Sequence, residues 1–112
     1  HERIYLIVLK ILKLIRKIPK TAENLTIIQQ LSRSTTSMGA NDQEADGTNT
    51  RRDFIHNYVI VRKESKETMH WFRMIAKANP VRQQECRILW KESQELVWIF
   101  SSIIEKSRNK AK

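Results

Sequence analysis

A chain of 112 residues, 40% hydrophobic and 29% charged, is one domain that can bury a real core. Only two Gly and two Pro argue for long elements and few turns, and the single Cys86 excludes an internal disulfide and suits a reducing cytoplasm. The net charge of +9 and the pI near 10.1 point towards nucleic acid or another polyanion as partner.

The first helix is predicted over residues 2–18 and ends at Pro19. Ile4, Ile7, Val8, Ile11, Leu14, Ile15 and Ile18 form a core stripe at helical spacing. Tyr5, Leu9 and Leu12 form a second apolar patch on roughly the opposite side. A lone bundle needs one stripe per helix, so the excess predicts a subunit interface. Arg3, Lys10, Lys13 and Lys17 make a basic side as well, but the apolar face is needed for the core, which argues against a helix lying on a membrane. The uninterrupted apolar run Ile4 to Leu9 is far short of the ~20 residues that span a bilayer, and no secretory signal is evident.

The second helix is predicted over 22–46, capped by Thr21 or Asn24 and stopped by Gly47. Gln30, Arg33, Ser37, Asn41 and Glu44 recur every three or four positions and fall within roughly an 80° arc. A polar stripe in such register is suited to meeting a partner. The third helix is predicted over 50–78. Thr50 and Asp53 resemble a capping box at its start, and Asn79-Pro80 marks its end. Phe54, Tyr58, Val61, Ser65, Thr68, Phe72 and Ile75 line its core face. Arg62, Lys66, Arg73 and Lys77 lie within about 60° of one another on a separate arc, flanked by Arg52, Lys63 and His70. Asp53, Glu64 and Glu67 fall on the other side. This basic stripe suits phosphate contacts; the competing reading is an ordinary solvated face.

The fourth helix is predicted over 82–107, with Ile88, Leu89, Leu96, Ile99, Phe100 and Ile103 in the core and a frayed tail from Lys106 to Lys112. Cys86, Trp90, Val97 and Ile104 form a second adjoining stripe, with Cys86 itself a small buried hydrophobe. Trp98 falls off the core face, beside Lys91 and Glu95, and is read as a subunit contact ahead of a base-stacking platform. The interface set is therefore Tyr5, Leu9, Leu12, Trp90, Val97, Trp98 and Ile104. With no strand pattern and short loops, the fold class is all-α, an antiparallel up-down-up-down four-helix bundle.

Nothing in the chain suggests catalysis. There is no Gly-rich phosphate loop, HExxH, GxSxG or CxxC. His56 and His70 lie about 21 Å apart along one helix and cannot share a metal. No cofactor and no metal are expected.

The stretch from Gln30 to Phe72 resembles the four-helix-bundle proteins encoded in intervening sequences of bacterial 23S ribosomal RNA genes, whose relatives include the accessory proteins of diversity-generating retroelements. The residues carrying the resemblance are Gln30-Leu31-Ser32-Arg33, Ser37-Met38-Gly39-Ala40-Asn41, Glu44, Arg52-Asp53-Phe54, and Lys63 to Thr68 leading into Trp71-Phe72. It extends less specifically through Glu95-Leu96 and Ile103-Ile104. Gly39 stands where the family usually has Pro, and Ala45 where it has Gly. The resemblance implies a homopentamer with a central channel. In one branch it also implies a reverse transcriptase as partner. It marks Arg33 and Glu67 as a pair between the second and third helices; burial would make that pair bidentate and register-setting. Together these observations predict a non-enzymatic, oligomeric bundle that binds structured RNA or DNA through backbone phosphates. The alternative is a protein-interaction ring whose charge is only solubilising.

Overall fold

All four predicted helices form in the computed structural model, which describes residues 1–110: α1 (Glu2–Lys17), α2 (Ala22–Ala45), α3 (Arg51–Ala78) and α4 (Gln83–Lys110), with a 3-10 turn at Pro80–Arg82 ahead of α4. They run up-down-up-down in a rod of 49 × 21 × 21 Å. Helix α3 packs closely on both α2 and α4, and α1 closes the bundle between α2 and α4.

The helix ends follow local chemistry. Ile18, ahead of Pro19, is extended (φ −85°, ψ 129°), since proline disfavours the α region before it. Lys20 Nζ donates to the carbonyls of Ile15 and Ile18, both at 2.7 Å. Thr21 caps α2 by accepting from the Asn24 N–H, and Thr50 caps α3 by accepting from the Asp53 N–H. Asn24 is not a cap. It is buried, and its amide exchanges two 2.9 Å hydrogen bonds with Asn79, latching the start of α2 to the end of α3. Gly47 does not stop α2 through a left-handed conformation, because no described glycine has positive φ. Tight turns close that helix one residue early, with Thr48 Oγ1 donating to the Ala45 carbonyl. Helix α4 runs on through Lys110, so the tail expected to fray from Lys106 is helical as far as the described residues reach; Lys112 lies outside them.

The core forms as expected on α1 and α3, where Ile4, Ile7, Ile11, Leu14, Ile18, Val61, Phe72 and Ile75 are buried, and α2 adds Leu31 and Met38 to it. On α4 the face is rotated. Val97 and Ile104, expected at a subunit interface, are buried within the single chain, and Trp90 packs against the core. Ile88 and Ile99, expected in the core, are exposed, Ile88 at 55%. The true core row is Cys86, Leu89, Ser93, Leu96, Phe100 and Ile104, a near-heptad in which polar Ser93 hides one repeat. Burial pushes the Cys86 thiol up to about 11, with Glu85 adding to the shift.

Small hydroxyl residues fill mid-bundle. Ser34 and Thr68 hydroxyls bond across α2 and α3 at 2.8 Å, and Ser65 Oγ donates to the Val61 carbonyl at 2.8 Å and lies 2.9 Å from Met38 Sδ. Thr35 Oγ1 is buried without a partner among the described residues.

Phe72, fully buried between its neighbours, is the deepest aromatic of α3. Phe72→Ala is expected to cost about 3–5 kcal/mol in chemical denaturation.

Candidate nucleic-acid interface

Each pair of neighbouring helices meets in a seam, and the charges of three seams define the surface. Along α1 and α4, Arg3, Lys10 and Lys17 recur every seven residues and meet Glu95, Glu92 and Glu85 at 2.6, 3.4 and 3.2 Å. A spacing of seven returns a cation to nearly the same face after two turns; Glu92 and Glu85 repeat that spacing, while Glu95 meets Arg3 from the turn adjoining Glu92. The basic side of α1 is therefore largely consumed within the chain. Only Lys13 of that set lacks a carboxylate partner among the described residues. Hydrogen bonding from Arg82, supported by Lys17, holds the Glu85 carboxyl below its usual range.

Along α2 and α3, Arg33 bridges to Glu67 and, at 3.2 Å, to Glu64. The expected burial does not hold. The Arg33 side chain is 48% exposed and Glu67 29%, while Glu64, which the sequence reading left outside the pair, is the more enclosed at 10%. The rest of the α2 stripe stays local. Gln30 accepts from Arg33 Nε at 3.2 Å, and Asn41 donates to the carbonyl of Ser37 within its own helix. Glu44 is exposed.

The third seam, α3 with α4, carries the candidate site. Arg62 Nη1 donates to Ser101 Oγ at 3.4 Å, so Arg62 is partly enclosed rather than free as expected. That bond marks the register of two antiparallel helices. One turn further along α3 is Lys66, and one turn back along α4 is Trp98. By the same register Arg73 comes level with Trp90 and Lys91, and Lys77 with Arg87. Lys66, Arg73, Lys77, Arg87 and Lys91 are exposed, and none has a carboxylate within ion-pair distance among the described residues. The carboxylates of α3 turn to α2, and Glu85, Glu92 and Glu95 turn to α1. Glu105, one turn past Ser101, closes the row at that end. Arg52 and Lys63 are exposed too, but project further outward from α3 than this seam. Arg87 and Lys91 are members that sequence reasoning missed; their spacing of four along the helix was the available signal.

Also missed was a buried carboxylate. Asp42, 1% exposed, accepts from Tyr58 Oη at 2.9 Å and from His1 Nδ1 at 2.7 Å, while His1 Nε2 donates to Asp46 at 2.8 Å. Burial raises the Tyr58 hydroxyl well above its ordinary value, with Asp42 adding to it. Bonding to Asp42, then Asp46, raises the His1 imidazole. Asp42 falls on the core face of α2, four residues after Met38, and that position was the clue. No group of three or more His, Cys, Asp or Glu able to hold a metal occurs among the described residues, and no described helix is long and apolar enough to cross a membrane.

Four amphipathic helices wound up-down-up-down define a four-helix-bundle protein. The chain belongs to the 23S rRNA-intervening sequence protein family, whose model matches residues 2–102. Its structure is similar to a crystal structure from Bacteroides thetaiotaomicron, that of a protein of unknown function from the S23 ribosomal protein family, with TM-score 0.83 and 26% identity over 92% of this chain and 95% of that one. No curated protein matches the chain.

Two outcomes are expected from these contacts. Because Arg33 is half open to water, Glu67→Ala should cost under about 1 kcal/mol, and the loss should shrink as salt is added; denaturation at two ionic strengths checks both. For His1 the folded pKa lies above the unfolded one, so its contribution is complete below the unfolded value and disappears as pH rises through the raised one. The difference in Tm between wild type and His1→Ala is therefore expected to be largest near about pH 6 and to vanish at alkaline pH.

Proposed function

We propose that this protein is a non-enzymatic module that binds RNA or DNA through backbone phosphates along the α3/α4 seam. The observation that carries the reading is the run of exposed cations Lys66, Arg73, Lys77, Arg87 and Lys91, anchored by Arg62 and free of opposing carboxylates. Each phosphate contact releases counterions and makes affinity fall with salt. Contacts of this kind position a nucleic acid without reading its bases, and the chain has no base-reading motif. Arg52 and Lys63 extend the field outward.

The reading includes self-association in the cytoplasm, as a homopentamer on the family resemblance. Tyr5, Leu9 and Leu12 support it: all three are exposed on α1, a helix that takes no part in the α3/α4 seam. A ring needs a second, different patch on each subunit, so Tyr5, Leu9 and Leu12 supply one side of each contact. In a retroelement setting the protein partner would be a reverse transcriptase. The alternative, a structural ring without nucleic acid, keeps the same contact and assigns the charge to solubility.

A salt titration separates the two. Binding of labelled RNA and DNA should weaken steeply with salt, and replacing Arg62, Lys66, Arg73 and Lys77 together by Gln should lower the log–log slope by up to about four while the fold persists. Absence of retention at about 50 mM salt supports the ring alone. Light scattering that finds a monomer at micromolar concentration overturns the oligomer.

A further inference from the structure

The α3/α4 seam holds one residue that phosphate binding does not explain. Trp98 is 64% exposed, although burying an indole is strongly favourable and the bundle core lies one face away. Its neighbours on the same side of α4 are Arg87 and Lys91; the three fall within an arc of about 40° at 100° per residue. Across the seam, the Arg62–Ser101 bond brings Lys66 level with it. The flat, exposed indole therefore stands within a row of cations that extends about 22 Å along α3 from Arg62 to Lys77. Glu95, on the adjoining turn, is held towards α1 by Arg3. A protein contact on this side would have to desolvate the unpaired cations around the indole, which disfavours a second copy of so basic a chain.

Resting on the phosphate-binding reading, we infer that the α3/α4 seam takes an unpaired strand of nucleic acid, its phosphates along Lys66, Arg73, Lys77 and Lys91 and one base stacked on Trp98. Paired bases present no free face to an indole, so a duplex gains the phosphate contacts and not the stacking. An unpaired strand gains both. Every base has a π-face, so the site is tolerant of sequence. Ribose and deoxyribose strands share the required chemistry.

The test is fluorescence anisotropy on the full chain with labelled single strands of RNA and of DNA, and with duplexes matched in number of phosphates. Three proteins are compared: wild type, Trp98→Leu and Trp98→Tyr. The exposed position of Trp98 lets both variants fold, and thermal melting verifies it. Wild type is expected to bind single strands more tightly than duplexes. Trp98→Leu should weaken single-strand binding about five- to a hundredfold and leave duplex binding unchanged, and Trp98→Tyr should restore most of the loss. Intrinsic fluorescence should be quenched by single strands in wild type and much less in Trp98→Leu. A preference for RNA or for DNA identifies the polymer, and parity assigns the site to either; both agree with stacking. Equal binding of single strands by wild type and Trp98→Leu, or duplex binding as tight as single-strand binding, overturns the inference while leaving the phosphate reading intact. Failure of every nucleic acid to bind overturns both.

Discussion

Burial of one apolar stripe per helix forces the edges of those stripes together, and the charge that each edge carries decides what surface remains. The carboxylates of the long helices do not scatter. Glu85, Glu92 and Glu95 of α4 meet α1 through Lys17, Lys10 and Arg3, and Glu64 and Glu67 of α3 meet α2 through Arg33. Two seams are thereby close to neutral, and much of the positive excess falls on the seam between α3 and α4. Individually such exposed ion pairs contribute little to stability. Their larger effect is on orientation, because a row of cations opposite a row of carboxylates penalises any packing that would bring like charges level.

The helices were legible where apolar spacing encodes them. Pro19, Thr21, Thr50 and Asn79-Pro80 punctuate the chain where the helices begin and end, since caps and prolines act locally. The rotation of α4 was not legible. Ser93 occupies a core position as a polar residue, while Ile88 and Ile99 lie at the surface as apolar ones, and a stripe drawn through the isoleucines points to the wrong side. The polar partners of α2 were half legible. Arg33 to Glu67 follows from the family resemblance, and the core-face position of Asp42 signals its burial, but neither Glu64 as the second partner of Arg33 nor Tyr58 as the partner of Asp42 follows, because a carboxylate in a helix gives no sign of the neighbour that will meet it.

The basic stripe of α3 shows the same limit from the other direction. Periodicity placed Arg62, Lys66, Arg73 and Lys77 on one arc, and that arc exists. What periodicity on a single helix could not supply was the opposite wall. Arg87, Lys91 and Trp98 belong to the same surface only because α4 runs antiparallel beside α3, a relation fixed by tertiary register. Conversely, the basic side of α1 looked similar in sequence and is mostly neutralised, since its seven-residue spacing finds matching acids on a helix more than sixty residues later.

The hydroxyl layer at mid-bundle governs how the rod can deform. Ser34 and Thr68 meet at 2.8 Å, and Met38 seats on Ser65, each pair joining α2 to α3. Sliding one helix along the other by a single turn, about 5.4 Å, would separate both pairs and bring bulky side chains against the gaps that the small ones occupy. Axial slippage is thus a stepwise, costly displacement, whereas a small rotation or splaying at the ends keeps the middle engaged. A disturbance at one end of the rod would reach the other as tilt about this waist and not as a piston stroke.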